Sequence, residues 1–283
     1  MIKIEETKTY GWEAAIRGMR NPMNSWDKSD THESSSYCPA MDNWGGATED
    51  GFYLFVGDND LNLMYRLCVA GTDHRKFMRM ITVSCDITAP LYWWKEFDTY
   101  KVGTVANSCS TMHKIHAKKF TLDDFSCEHL MEDDCDIEVW WAEDGVNPLY
   151  PKDILETTID SLNACREAYL KTKDKKYWWQ MIQLLPSSYN QKRTVMLNYE
   201  VLNNIYTSRR NHKLDEWHDF CDWAKTLPHS KLITKQSDIT DDFWEITRSC
   251  YAPMDENEIA RAILIGEPTT EEKMISKYEH FKG

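Results

Sequence analysis

One stretch, residues 78–116, limits what this chain can fold into more than any other. Apolar and polar residues alternate from Met80 to Ile87, and this period of two predicts a β-strand with one face on a core. Pro90 ends the strand, because proline fixes φ and lacks a backbone N–H. Residues 91–101 then predict a helix. Residues 102–111 are small or polar, and predict a loop that could bind a ligand but is more typical of a surface connection.

The remainder of the chain predicts a mixture of α and β structure. Helices are expected over 10–19, 58–71 and 153–169, from 192 onward, around 212–224 and 243–244, and over 255–265 and 271–281. A short strand is expected at 137–141, and a long polar loop at 21–46. If residues 192–210 form one helix, Asn198 and Arg209 lie about three turns apart on one face and each needs a polar partner.

Composition excludes several classes of protein. Hydrophobic residues make up 42% of the 283 residues, which is ample for a packed core. Acidic residues outnumber basic ones by 46 to 33, so the net charge of −13 gives no general attraction for duplex nucleic acid or an anionic membrane. There is no apolar run long enough to span a bilayer, and no signal peptide. The nine scattered cysteines include no C-x-x-C pair, so we expect a soluble, cytoplasmic protein with free thiols.

Two clusters of polar residues leave their function open. Residues 111–119 contain three lysines, two histidines and no acid, which fits either a phosphate-bearing ligand or a solvated face. Residues 212–221 contain His212, His218 and Cys221 among several acids and could suit a metal. However, the tight spacings typical of zinc sites are absent, so most of these side chains are expected to face water.

The order of strand, Pro90, aromatic helix and small-residue loop resembles the flavin-dependent thymidylate synthases. Their signature is R-H-R-x-x-S-x-N-E-x-S-x-R, and their upstream segment is H-x-S-P-F-E-H, whose first histidine corresponds to His74. Counted from Pro90, the signature falls on Thr99, Tyr100 and Lys101 for R-H-R, Thr104 for the first serine and, after one extra residue, Asn107, Ser108, Ser110 and Met112 for the rest.

The resemblance continues downstream. Leu185-Pro186 is similar to the family's Leu-Pro, and the spacing to the helix N-x-R-S-L-x-x-F-L-x-L-R is preserved. The family's residues in that helix correspond to Asn198, Leu202, Ile205 and Arg209, whereas Glu200 replaces the inner arginine. The family's E-x-A-R segment corresponds to residues 179–182, which have lost its arginine as well.

The resemblance implies a fold class and a domain organisation. The fold would be α/β (α+β), with a small, mainly antiparallel sheet flanked by helices. Residues 1–227 would form the synthase-like domain, with an insertion near 117–152. Residues 228–283 would be a C-terminal helical extension packed on the same domain. The family also implies a homotetramer whose sites lie between subunits.

The resemblance also implies a reaction. A methyl or related one-carbon group would be transferred to C5 of dUMP or a relative, with FAD as cofactor and with NADPH and methylenetetrahydrofolate as co-substrates. Arg209 would contact the pyrimidine and tune its reactivity. The implied cofactor residues are His74, Thr99, Tyr100, Lys101, Asn107 and Asn198; the implied substrate residues are Lys95, Glu96, Ser108, Ser110 and Arg209.

Two alternatives remain open at this point. Several phosphate-binding arginines of the family are missing, and lysines such as Lys95, Lys101, Lys114 and Lys118 replace their charge without their bidentate geometry. The chain could therefore be a non-catalytic descendant that binds a nucleotide or serves assembly. A metal-dependent enzyme using residues 212–221 is the second alternative.

Overall fold

A computed structural model describes residues 2–34, 44–47, 53–132, 140–141 and 148–235. Two compact units can be distinguished in the chain. Unit 1 comprises Met1–Glu6, Cys85–Lys101 and Val105–Val195, and unit 2 comprises Thr7–Ser84, Val102–Thr104 and Met196–Gly283. No helix in these described ranges is long and apolar enough to cross a membrane.

The described chain is a mixture of helices and strands. The helices are α1 (Trp12–Arg20), α2 (Asp58–Val69), α3 (Leu91–Phe97), α4 (Pro151–Thr172), α5 (Lys175–Leu184), α6 (Tyr199–Arg209), α7 (Asp215–Lys225) and α8 (Lys231–Thr234). The strands are β1 (Lys3–Tyr10), β2 (His32–Ser34), β3 (Trp44–Ala47), β4 (Tyr53–Phe55), β5 (Thr82–Pro90), β6 (Val105–Ser108), β7 (Trp140–Trp141), β8 (Pro148–Leu149) and β9 (Asn190–Asn198).

The strands form a four-stranded sheet and two small ones. The larger sheet has the order β1-β5-β9-β6, so β1 and β6 are its edges. Strand β4 pairs antiparallel with both β2 and β3, and β7 pairs antiparallel with β8. The predicted fold class, helices around a mainly antiparallel sheet, is confirmed.

The strand predicted before Pro90 is confirmed. In β5, Val83, Cys85, Ile87 and Ala89 are buried and alternate with partly exposed residues, as the period of two requires. Helix α3 follows directly but ends at Phe97, four residues earlier than expected. Residues 99–101 therefore lie in the connection after the helix.

The helix predicted from Lys192 onward is wrong in its first part, because residues 190–198 form strand β9. Gln191, Val195 and Leu197 are buried, whereas Lys192 and Met196 are exposed, and this alternation is that of a half-buried strand. The helix begins only at Tyr199. Leu202 and Ile205 in α6 are fully buried, as predicted.

Two predicted loops contain strands. Residues 105–108 form β6, whose four residues are all exposed at the edge of the sheet. The polar stretch 21–46 includes β2 and the start of β3, paired with β4. Small and polar residues are poor strand formers, so pairing with a neighbour rather than local propensity explains these strands.

The core of unit 2 gathers around helices α1, α2, α6, α7 and α8. Tyr199 is fully buried; its hydroxyl donates to the carbonyl oxygen of Pro228 at 2.5 Å, and its ring lies 5.2 Å from that of Trp12. Trp217 and Phe220 of α7 are also buried, as the sequence predicted. Before α1, Gly11 has φ +85, and a Cβ there would come within 2.1 Å of the Met80 carbonyl oxygen, so only glycine fits.

The core of unit 1 lies between α4, α5 and the segment 115–125. Its buried members are Ile115, Phe120, Phe125, Leu155, Ile159, Leu162 and Met181. Asn163 of α4 is buried among them, and both ends of its amide bond the backbone of Phe120, at 2.9 Å each. The helix predicted at 153–169 is thus confirmed as part of α4.

Several expectations for the C-terminal part lie outside the described residues. Of the proposed extension 228–283, only residues 228–235 are described, and they include α8. The helices predicted near 243, 255–265 and 271–281 fall beyond them. The division at residue 227 and the insertion near 117–152 remain predictions.

Candidate functional site

Helix α3 and the connection after it carry five of the predicted site residues, all in unit 1. Lys95 is exposed on α3, and Lys101 is exposed at the end of the connection. The Thr99 hydroxyl donates to the carbonyl oxygen of Glu96 at 2.7 Å, so this side chain also closes the C-terminal turn of α3. Glu96 and Tyr100 are partly exposed. The structure thus brings Glu96 and Thr99 together and presents two lysines to solvent beside them.

The second group of predicted residues follows on the edge strand β6. Asn107 and Ser108 are exposed there. The next residue is held on β9, because the N–H of Cys109 donates to the Lys192 carbonyl at 2.9 Å and its carbonyl accepts from the Gln191 amide at 2.7 Å. The backbone of this segment is therefore fixed, while its side chains remain accessible.

Ser110 shapes the turn that follows. Its hydroxyl oxygen accepts from the backbone N–H groups of Met112 and His113, at 3.3 and 2.8 Å. A serine that bonds its own backbone two and three residues on stabilises a turn. The indole N–H of Trp178 donates to the Met112 carbonyl at 2.9 Å, so α5 holds the turn as well.

A cluster around Arg193 was not predicted from the sequence. Its guanidinium carbon lies 4.1 Å from the Trp94 ring centroid, and its NH1 bonds the Asp98 carboxylate at 2.8 Å. The Trp94 indole donates to the carbonyl of Gln191 at 2.9 Å. Together these contacts fasten α3, and hence the connection after it, to β9. Recognising the alternation of residues 190–198 would have placed Arg193 on a strand.

A second ion pair of β9 involves Asp86 of β5. Its carboxylate accepts from the Thr194 hydroxyl at 2.6 Å and from Lys192 at 2.9 Å. The hydrogen bond from Thr194, followed by that from Lys192, lowers the pKa of Asp86. Lys192 is therefore engaged on the sheet, whereas Lys95 and Lys101 point to solvent.

In unit 2, His74 lies beside a buried ion pair. Its backbone N–H donates to the Gly71 carbonyl at 3.1 Å, and its side chain is half-buried. The next residue, Arg75, forms two hydrogen bonds with the Glu200 carboxylate, at 2.8 and 2.9 Å. Both side chains are less than 10% exposed. The negative charge of Glu200, which replaces the family's inner arginine, is thus balanced by Arg75 within unit 2.

Asn198 and Arg209 stand at opposite ends of α6. Asn198 caps the helix, with its side-chain oxygen accepting from the Val201 N–H at 3.0 Å. Arg209 is half-buried, with its guanidinium carbon 4.9 Å from the Trp217 ring centroid. Eleven residues of helix separate the side chains by about 16 Å along the axis. The structure does not bring them together, because they stand at opposite ends of the helix, and Asn198 is an extended cap rather than a member of the helical face.

Gly103 lies close to Asn198, the residue that caps α6. It has φ +79, and a Cβ there would lie 2.7 Å from the Asn198 side-chain nitrogen. The small-residue loop, for which the sequence favoured a surface connection over ligand binding, thus packs at this point on the amide of a predicted cofactor residue. Any larger side chain at residue 103 would displace Asn198.

A pocket of about 530 Å³ lies at the C-terminal end of α6, against α7. It is lined by Tyr206, Arg210, Asn211, His212, His218, Cys221, Asp222 and Lys225. Lys225 is paired with Asp222 at 2.7 Å, and burial raises the pKa of the Cys221 thiol to about 11. Among the described residues, which include all of 212–221, no three His, Cys, Asp or Glu side chains are placed to hold a metal ion. The geometry therefore does not support the metal-dependent alternative.

The described helices and strands have the fold of the flavin-dependent thymidylate synthases, as the sequence resemblance predicted. The chain is similar to flavin-dependent thymidylate synthase ThyX from Helicobacter pylori in complex with FAD and dUMP, with a TM-score of 0.52 and 14% identity over 82% of this chain and 97% of that one. A second structure of that enzyme with FAD and dUMP gives a TM-score of 0.53 and 14% identity, over 83% and 97% of the two chains.

Another similar structure is the UMP/dUMP methylase PolB from Streptomyces cacaoi bound with 5-Br dUMP, with a TM-score of 0.49 and 12% identity over 83% of this chain and 95% of that one. No protein-family model matches the sequence. No curated protein matches it in sequence either.

Proposed function

We propose that this protein is a flavin-dependent enzyme that transfers a methyl or related one-carbon group to C5 of a pyrimidine deoxynucleotide, dUMP or a relative. The observation that carries the proposal is the shared fold. Both Helicobacter pylori structures hold FAD and dUMP, and 97% of each of those chains is covered. The proposed co-substrates are NADPH and methylenetetrahydrofolate.

The residues in this part of the chain could hold the phosphates of a flavin nucleotide through the positive charges of lysines. FAD carries phosphates, which require cationic or N–H donors. Lys95 and Lys101 are exposed next to Thr99 and Tyr100, where the family has R-H-R. Lysine supplies charge without the bidentate fork of arginine, so we expect weaker cofactor binding than arginine would give. We assign the cofactor role to Thr99, Tyr100 and Lys101, with Asn107, His74 and Asn198 as further candidates.

The flavin, when bound, supplies the hydride chemistry, so no protein nucleophile is needed. The chain's own residues would bind and orient the nucleotide. Ser108 offers a hydroxyl group on the edge strand β6, Ser110 offers one in the exposed turn that follows, and Lys95 and Glu96 offer charge on α3. Arg209 is the candidate for contact with the pyrimidine, since its guanidinium is already oriented over the Trp217 ring.

A non-catalytic nucleotide-binding descendant is the second candidate, and one observation favours it. Glu200 is buried against Arg75, so the position of the family's inner arginine holds an internal ion pair and cannot reach a phosphate. Losing one charge-assisted hydrogen bond to a phosphate costs about 1.5–3 kcal/mol. The loss of several such hydrogen bonds would abolish FAD binding and still leave the binding of a nucleotide.

The visible absorbance spectrum of the purified protein, repeated after incubation with FAD and desalting, distinguishes the two functions. We expect a retained flavin spectrum, and then oxidation of NADPH that depends on dUMP and methylenetetrahydrofolate. A protein that binds dUMP in calorimetry but never retains FAD would be the non-catalytic relative. If neither ligand bound, both proposals would be wrong.

The proposed assembly is a homotetramer, by analogy with the family. Light scattering after size-exclusion chromatography, with and without FAD, tests this point. A monomer under both conditions would contradict it.

A further inference from the structure

The start of α5 places two tryptophans beside lysines on the surface of unit 1. The Trp179 side chain is 41% exposed, and its ring meets that of Trp178 edge to face at a centroid separation of 4.8 Å. The ammonium group of Lys175 lies 5.8 Å from the Trp178 centroid and 5.5 Å from that of Trp179. Trp178 is partly buried against the core of unit 1, so Trp179 is the ring that is open to a ligand, with a cation beside it.

The lysine-rich segment 111–119 is attached to the same helices. Trp178 of α5 donates to the Met112 carbonyl at 2.9 Å. Arg166 of α4 donates to the carbonyl of His116 at 3.0 Å, and the His116 ring lies 5.0 Å from that of Tyr169. Lys114 lies between these two anchored residues and is exposed. The segment and the tryptophans therefore belong to one surface.

This surface has the opposite charge to the rest of the chain. Its basic residues are Lys114, Lys118, Lys119, Arg166, Lys171, Lys173, Lys175 and Lys176, and its acids are Asp124, Glu167 and Asp174. Lys118 pairs with Asp124, and Lys176 with Asp174. The whole chain carries −13, so a local excess of cations this large creates a strong local attraction for anions. We call these basic residues, with Trp178 and Trp179, the Lys–Trp surface.

We propose that the Lys–Trp surface binds single-stranded nucleic acid. Proteins that bind single strands combine cations that follow the phosphates with aromatic rings on which bases stack, and both are present here. A duplex hides its base faces, so it would use only the lysines. An anionic membrane requires a broad apolar face, whereas here lysines surround two indoles. The inference does not depend on the proposed enzymatic function.

The test uses the full chain and a labelled oligothymidylate of about 16 nucleotides, the upper site size of a single-strand binding domain. Fluorescence anisotropy over a salt series measures the affinity, and quenching of tryptophan fluorescence reports stacking. We expect Trp179→Ala to weaken binding about 5- to 100-fold, as loss of one stacked base predicts. We expect the double variant Lys173→Glu/Lys175→Glu to reduce the slope of log K against log salt by about 0.7 for each phosphate that the protein no longer neutralises.

Matched variants control for general effects. Trp26 is 51% exposed in unit 2, and Lys8 is exposed on β1. Trp26→Ala and Lys8→Glu should leave oligonucleotide affinity within about twofold of wild type, and thermal melts of all variants establish that they fold.

Five results would overturn the proposal. The first is no binding of the oligonucleotide at low salt, the second an equal loss of affinity in the control variants, and the third an equal affinity for duplex and single strand. The fourth is that free dTMP competes as effectively as the oligonucleotide. The fifth is that the protein co-sediments with phosphatidylserine vesicles but does not bind the oligonucleotide. The fourth would indicate a mononucleotide site, and the fifth a membrane surface.

Discussion

Arg75 and Glu200 form a bidentate ion pair within unit 2, although 125 residues separate them in sequence. Each is almost fully buried, and the two bonds of 2.8 and 2.9 Å satisfy both carboxylate oxygens. Glu200 occupies the position at which the resemblance expects an arginine. The negative charge of Glu200 is therefore balanced by Arg75 within unit 2, and Glu200 forms an internal ion pair instead of binding an anion.

Removing one partner of this pair should destabilise unit 2. We expect Glu200→Ala to lower the free energy of unfolding by about 3–5 kcal/mol, because Arg75 would be left buried and uncompensated. Urea unfolding followed by circular dichroism measures the change. The exposed Glu13→Ala is the control, and the double variant Arg75→Met/Glu200→Leu should recover much of the loss. Equal effects of Glu200→Ala and Glu13→Ala would contradict the pairing.

Arg209 should matter for nucleotide binding, whereas its neighbour should not. We expect Arg209→Ala to weaken dUMP binding in calorimetry by one to two decades, since a charge-assisted contact contributes about 1.5–3 kcal/mol. Arg210→Ala is the matched control, because it removes the same charge from the adjacent exposed position. Unchanged binding by the Arg209 variant would remove α6 from the site.

His229 should make stability depend on pH. It is buried against Trp12, with ring centroids 5.2 Å apart, and burial lowers its pKa to about 4. In the unfolded chain a histidine titrates near pH 6.5, so protons bind the unfolded state first. Stability should therefore fall as the pH drops from about 6.5 to about 4, by up to about 3 kcal/mol.

The variant His229→Asn isolates this effect, because asparagine tolerates the positive φ of 49 at this position and does not titrate. Chemical denaturation at a series of pH values should give a flatter profile for the variant across that window. Parallel profiles for the two proteins would show that other groups cause the dependence.

Asp60 should contribute stability that is lost only in acid. Burial raises its pKa, but hydrogen bonds from Ser29, Thr31 and Arg20 outweigh this and hold the pKa below its usual value. The contribution is therefore complete above the ordinary aspartate pKa of about 3.9 and disappears as the pH falls through the lowered value. Asp60→Asn should cost about 3–5 kcal/mol at neutral pH, and progressively less in acid. The exposed Asp27→Asn should cost nothing measurable at either pH.

The contact between Gly103 and Asn198 can be tested by substitution of Gly103, with Gly71 as the control position. Both have positive φ, but a Cβ at Gly71 would meet nothing within 4 Å, whereas one at Gly103 would meet the Asn198 amide. We expect each alanine variant to lose about 1–2 kcal/mol from backbone strain, and Gly103→Ala to lose more in unfolding experiments. Adding Asn198→Ala to Gly103→Ala should reduce the extra loss. Equal losses for the two glycines would contradict the close approach.

Local patterns predicted part of this structure, and long-range contacts account for the remainder. Strand β5 was predictable because its alternation is strict and Pro90 marks its end. Strand β9 was missed because the charged Arg193 and the polar Gln191 stand at inward-facing positions of its alternation. The end of α6 and the buried face of α7 follow from helical spacing.

Contacts between distant residues leave no local signal. Arg193 stacks on Trp94, and Arg75 pairs with Glu200, yet neither spacing has a periodicity that sequence analysis could detect. The roles of Asn198 and Ser110 in capping and turn formation were also missed, since both residues were assigned to a ligand by resemblance. Their side chains bond backbone that becomes available only once α6 and the turn at 110–113 have formed.

The carboxylate of Asp60 limits how the segment after α1 can be redesigned. One oxygen accepts from Arg20 at 2.6 Å, and the other accepts from the Ser29 and Thr31 hydroxyls, at 2.7 Å each, and from backbone N–H groups at residues 30 and 31. Both ends of residues 20–31 thus converge on one side chain of α2. Shortening or grafting this segment would have to preserve these donors, together with the hydrogen bonds that Arg20 donates to the carbonyl oxygens of Ser25 and Lys28.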